Sequence, residues 1–272
     1  MLKHKAICNN VALTFILTTL IASSLLAKDT KPAKIFFLCG QSNMLGGDKA
    51  TKLKPPYSEP LPKIKIWKSK GEQWLPLGPK AVNYKGRFGP EISFGHALAK
   101  AFPDEDIRLV KYAVGGTALH DDWSPTAKGR QYTGFMKAAK SALAELTASG
   151  TKYEVAGMLW LQGESDAGEK KADRYEDNLT KFIAHMRTAF KTPDMPFIIA
   201  RVRSHYGGKT GQAKIVRDAQ VKVGDTVKFA GWFDTDDCSM VNAGHYDAAG
   251  LIEIGKRFAE KYKEVISKEQ KH

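Results

Sequence analysis

Four short stretches of this 272-residue chain hold residue types that together can break an ester bond. The first is Gly40-Gln41-Ser42-Asn43-Met44. The second is Gly115-Gly116-Thr117, followed by Asp121-Asp122-Trp123. The third is Gln162-Gly163-Glu164-Ser165-Asp166, and the fourth is His245. A serine hydroxyl is a weak nucleophile until a base accepts its proton, and His245 is a base of the right type. The tetrahedral oxyanion that follows attack needs donors already aimed at it. Backbone N–H groups beside glycines and a side-chain amide such as that of Gln162 can supply them.

Each stretch needs an element to hold it. Five short apolar runs recur at wide spacing: Lys34–Cys39, Ile107–Ala113, Val155–Leu161, Phe197–Val202 and Lys228–Asp234. Runs apolar on both faces suit parallel strands covered on both sides. Helical patterns lie between them. Glu91–Ala101 is one, and Gln212–Val223 is another. Phe135, Ala139, Ala142 and Leu146 share a face, as do Tyr175, Leu179, Phe182, Met186 and Phe190. Leu251, Ile254, Phe258 and Tyr262 mark the last helix. Alternating strands and helices predict an α/β fold, a three-layer α/β/α sandwich. Right-handed crossovers then place every strand's C-terminal end on one rim. Residues 48–87 interrupt the rhythm with Pro55-Pro56, Pro60 and Pro62. A hairpin is expected there, Ile64–Trp67 against Gln73–Leu77, as an insertion beside the rim.

The four blocks, in this order and each after a predicted strand or before a helix, resemble the SGNH-type hydrolases. More narrowly, they resemble carbohydrate esterase family six and the sialate O-acetylesterase-like domain. "GPEISFGHAL" (Gly89–Leu98) and "DTDD" (Asp234–Asp237) fit the same pattern, and the likeness runs from Lys34 to Tyr262. The resemblance implies a flavodoxin-like sheet of five parallel strands. It also implies removal of O-acetyl groups from a carbohydrate such as acetylxylan or a sialic acid, through an acetyl-enzyme and without metal or other cofactor. By position, Ser42 matches the nucleophile and His245 the base. The N–H groups of Ser42 and Gly116 match oxyanion donors, and Gln162 the polar residue of the third block. Many relatives carry Asp three residues before the histidine, where this chain has Asn242. The third catalytic member is therefore expected to be Glu164, with Asn242 the alternative and Asp237 behind both. Gln41, Asn43 and Trp123 are candidate substrate contacts, and Trp123 could equally plug the loop. His120 and His205 are weaker candidates for the cleft. Asp166 is expected to brace the third block, and Glu91 to complement the start of its helix.

Lys3 and Lys5, the apolar stretch Val11–Ala27 and the polar start at Lys28 read as a signal peptide over residues 1–27. The esterase domain then spans 28–272, secreted or periplasmic, with no stable membrane insertion after cleavage. A membrane anchor is the alternative for that first stretch. Cys39 and Cys238 remain after cleavage, and an oxidising compartment permits a bond between them. The formal charge is +13, which favours anionic partners. The lysines are scattered and no nucleic-acid motif is present, so nucleic acid is not an expected partner. A carbohydrate-binding protein with a degenerate site is the second functional class, which Asn242 favours. A lipase-like esterase is the third, and the lysine- and proline-rich insertion argues against it.

Overall fold

The run Ala33–Gly40 becomes strand β1 because it has no polar face to turn to solvent. Ile35, Phe37 and Cys39 enter one hydrophobic core, and Phe36 and Leu38 enter the other. A computed structural model describes residues 31–82, 85–167, 171–203 and 211–269. The expected signal peptide and His205 lie outside them.

After β1 come a one-turn helix α1 (Ser42–Leu45), β2 (Asp48–Lys49), β3 (Leu61–Lys68), β4 (Gln73–Leu77), α2 (Pro79–Val82) and β5 (Arg87–Phe88). Then follow α3 (Glu91–Ala101), β6 (Ile107–Ala113), α4 (Arg130–Ala148), β7 (Tyr153–Leu161) and α5 (Tyr175–Ala189). The chain closes with β8 (Phe197–Ala200), α6 (Gln212–Thr226), β9 (Ala230–Phe233), β10 (Met240–Asn242), β11 (His245–Tyr246) and α7 (Ala248–Glu269). The main sheet has the order β4-β3-β6-β1-β7-β8-β9. Helices α4, α5 and α6 bury their apolar stripes in the core on one face, and α3 and α7 in the core on the other. This is the expected three-layer sandwich.

The sheet has seven strands rather than five. The five anticipated parallel strands are contiguous in it, β6-β1-β7-β8-β9, the flavodoxin-like order. The other two are the hairpin of the insertion. Ile64 and Ile66 of β3 are buried and register in parallel with Ile107 and Leu109 of β6. The insertion therefore extends the sheet instead of lying beside its rim. The reason is that β6 would otherwise present an unpaired apolar edge.

The chain leaves β1 toward β6 on one side and later returns to β7 on the other. Such a switch point opens a crevice at the C-terminal ends of the strands. The loops after β1, β6 and β7 carry the first three chemical blocks to it. Cys39 and Cys238 are both buried and free. They belong to cores on opposite faces of the sheet, so no bond can join them. Among the described residues no helix is long and apolar enough to cross a membrane.

Candidate active site

Ser42 begins α1 one residue after the turn that ends β1. Gly40 makes this turn possible: a Cβ there would lie 2.1 Å from the Leu161 carbonyl oxygen. The loop after β6 continues alongside, with the Val114 N–H donating to the Gly40 carbonyl at 3.2 Å. Gly115 lies against the serine, since a Cβ on it would be 3.5 Å from Ser42 Cβ. Gly116 has a φ of 70° and open space around it. The backbone N–H groups of Ser42 and Gly116 have no backbone acceptor among the described residues.

Ser42, Gly115, Asn242 and His245 line one cleft of about 520 Å³, together with Leu45, Gly46, Arg87, Ala113 and Val114. Asn242 Oδ1 lies 3.2 Å from His245 Nδ1 and accepts the N–H groups of Gly244 and His245 at 2.9 and 3.0 Å. Two backbone donors fix that atom as the oxygen. A carbonyl oxygen can only accept, so His245 Nδ1 is the donor in this contact, and in the neutral ring the lone pair then lies on Nε2. Ser42 and His245 make no hydrogen bond to each other among the described residues, a spacing that free enzymes often show.

The residue holding the histidine is thus Asn242, whereas Glu164 was the first expectation. Glu164 is buried and turned elsewhere. Its Oε1 accepts Asn43 Nδ2 at 2.8 Å, and its Oε2 has no hydrogen-bond partner among the described residues. Burial raises its carboxyl above the ordinary glutamate value. Asn43 Nδ2 also donates to the Gly244 carbonyl at 3.2 Å, and its Oδ1 accepts the Tyr246 N–H at 3.2 Å. Asn43 therefore ties α1, Glu164 and both flanks of His245 together. It is buried and is not a substrate contact.

Three further expectations are corrected by burial. Gln162, proposed as an oxyanion donor, spends both amide hydrogens on the Thr117 carbonyl at 2.9 Å and Asp166 Oδ2 at 2.6 Å. Gln41, a proposed substrate contact, is buried and accepts the Ser165 N–H at 3.3 Å. Trp123, proposed to stack on a sugar, is fully buried against Trp160, and its Nε1 donates to Thr117 Oγ1 at 3.0 Å. All three are interior braces because the loop after β6 folds back onto the third block. Asp166 completes that brace by accepting the N–H groups of Leu119 and His120 at 2.7 and 3.0 Å. Burial pushes its carboxyl up, against these donors. His120 does not line the cleft.

Two residues near the serine escape sequence reasoning. Lys111 on β6 is buried and donates to the Leu45 carbonyl at 2.9 Å and to Glu91 Oε2 at 2.6 Å, so a buried ion pair holds the C-terminal end of α1. Burial lowers the Lys111 ammonium and the Glu91 carboxylate opposes that shift. Arg87 lines the cleft and donates to the Gly47 carbonyl at 2.6 Å. No spacing rule marks an arginine in a lysine-rich insertion.

A sheet wound in this order, with a serine at the switch point and a late histidine facing it, defines an SGNH-type hydrolase fold. The chain belongs to the carbohydrate esterase, sialic acid-specific acetylesterase family, whose model matches residues 32–264. It is accordingly an esterase that acts on acetylated carbohydrate. Solved structures share the fold. A protein from Arabidopsis thaliana aligns with a TM-score of 0.73 at 23% identity over 86% of this chain and 99% of its own. A carbohydrate acetylesterase from Xanthomonas citri aligns with a TM-score of 0.65 at 18% identity, over 85% of this chain and 56% of its own. NanS aligns with a TM-score of 0.64 at 14% identity, over 87% of this chain and 99% of its own. No curated protein sequence matches the chain.

Proposed function

We propose that this chain is an exported serine esterase that removes O-acetyl groups from a sialic-acid-type glycan, with Ser42 as nucleophile and His245 as base. The observation that carries the reading is the 3.2 Å contact of Asn242 Oδ1 with His245 Nδ1, in a cleft that Ser42 shares. It leaves Nε2 free to take a proton. Ser42 Oγ forms a bond to the acetyl carbonyl carbon as its proton passes to His245 Nε2. The negative charge on the carbonyl oxygen is met by the N–H groups of Ser42 and Gly116. The carbon–oxygen bond to the sugar then breaks, and the sugar oxygen takes the proton from His245. Water next attacks the acetyl-serine, losing a proton to His245, and acetate leaves as Ser42 regains its hydrogen.

The test is acetate release from O-acetylated sialic acid, with acetylxylan as the neutral comparison. Ser42→Ala should lower turnover by about a thousandfold or more, with unchanged circular dichroism. A variant that keeps the parent rate would remove Ser42 from the mechanism. Export is proposed on Lys3, Lys5 and the apolar stretch Val11–Ala27, with one esterase domain over residues 28–272. N-terminal sequencing of exported protein should begin at Lys28, and an intact Met1 would contradict cleavage.

A further inference from the structure

The Ser42 cleft does not stop at the reacting residues. Leu45 and Ala113 line it and also line a second cavity of about 270 Å³, which Trp67, Lys68, Lys70, Val82 and Tyr112 help enclose. Four cations border the joined groove: Arg87, Lys68, Lys70 and Lys111. No Asp or Glu is among the described residues that line it.

The state of each cation matters. Lys111 is consumed by Glu91 and the Leu45 carbonyl. Arg87 is exposed and, among the described residues, gives one of its five N–H bonds, to the Gly47 carbonyl. Lys68 donates to the Ala81 carbonyl at 3.2 Å, which leaves two of its three hydrogens unused among the described residues. Lys70, exposed on the hairpin turn, has no hydrogen bond or ion pair with a described residue. The acid on that turn, Glu72, faces away and accepts the Ser141 hydroxyl of α4 at 2.7 Å. Residues 48–87 as a whole hold nine lysines and one arginine against three acids, a net +7 of the chain's +13. A groove bordered by one sign of charge concentrates ligands of the other.

We propose that the hairpin cavity is a second sugar subsite for an acidic glycan chain. Lys68 and Lys70 hold the carboxylate of the neighbouring unit, while Arg87 holds that of the acetylated unit beside Ser42. The inference rests on the esterase reading for the identity of the first unit. It names the substrate as an acidic oligosaccharide in preference to a single acidic sugar or a neutral acetylated chain.

Binding is measured by calorimetry on the Ser42→Ala protein, which separates affinity from turnover. The probes are a sialic acid dimer, digalacturonate, free sialic acid and xylobiose. The acidic dimers should bind at least about tenfold more tightly than free sialic acid at low ionic strength, with xylobiose weaker still, and added salt should erode the advantage. The two dimers distinguish a sialic acid chain from a uronic acid chain as the source of the carboxylates. Lys68→Gln with Lys70→Gln should bring the dimer-to-monomer ratio toward one. Lys137→Gln with Lys140→Gln, the same charge change on α4, should keep the ratio. Equal affinity for dimer and monomer, equal affinity for xylobiose, or the same loss in both double variants would overturn the subsite. If the unsubstituted protein releases no acetate while the Ser42→Ala protein still prefers the dimer, the subsite stands and the esterase reading falls. Acetate release without dimer preference sinks the subsite alone.

Discussion

Asn242 carries no charge, yet its carbonyl serves three donors at once: the Gly244 N–H, the His245 N–H and His245 Nδ1. We propose that it is a positioning residue, acting on the ester through the imidazole it holds. Asparagine orients the ring but cannot neutralise an imidazolium as aspartate does. Asn242→Ala should lower kcat on an aryl acetate by on the order of tenfold to a hundredfold with little change in KM. Asn242→Asp, which keeps the acceptor for all three donors, should recover the rate. Equal losses in both variants would rule out ring orientation as the role. Glu164 yields a stability prediction instead. Burial lifts its carboxyl above the ordinary value of 4.5, so the folded state binds the proton more tightly than the unfolded chain. Its contribution to stability is therefore present at low pH and is lost as pH rises above that value. Glu164→Gln removes the titration. The Tm of the variant relative to the parent should rise between about pH 4 and about pH 7, and a constant difference would contradict the assignment. Ser42 and His245 stood out as candidates because hydroxyl and imidazole chemistry is written in residue type, and both line one cleft. The buried uses of Gln41, Asn43 and Gln162 were not, because a side-chain amide can face a ligand or the interior with equal chemical sense.

At the scale of elements, the site depends on how closely β1 and β7 approach where β1 ends. Gly40 stands between the Leu161 carbonyl and α1, and no side chain fits there. Gly40→Ala should cost about 3 kcal/mol or more in urea unfolding, since the intruding methyl meets backbone rather than a movable side chain. A cost below about 1 kcal/mol would mean that the two strands can separate without harm. The parallel strands β6, β1, β7, β8 and β9 were readable because their runs are mostly apolar, and the five long helices because each has a stripe of period 3.6. The hairpin was readable as a hairpin, from two short β-prone runs around a glycine turn. Its joining of the sheet was not, because pairing of β3 with β6 links residues about forty positions apart through Ile64 and Ile66. Trp123 illustrates the same limit. It lies in a loop by sequence, and only the folding of that loop onto Trp160 makes it core.

Across the whole molecule, two faces of one sheet separate residues that composition alone would pair. Cys39 and Cys238 occupy different cores, and burial lifts both thiols, that of Cys238 to about 11. A thiol reagent should leave both unmodified until the protein unfolds. Reductant should leave Tm unchanged, whereas loss of a disulfide would cost about 2–5 kcal/mol. A fall in Tm with reductant would show that the two sulfurs meet. The sequence by itself determined the layered architecture, the rim to which its loops run, and the serine and histidine proposed to act there. These follow from local periodicity and from residue types that few other jobs require. Tertiary structure alone decided that Asn242 holds the histidine, that the amides of the blocks face inward, and that a basic hairpin lines a cavity adjoining the cleft. Those outcomes depend on which distant segments meet and which polar atoms are left to pair once water is excluded, and no local pattern encodes that.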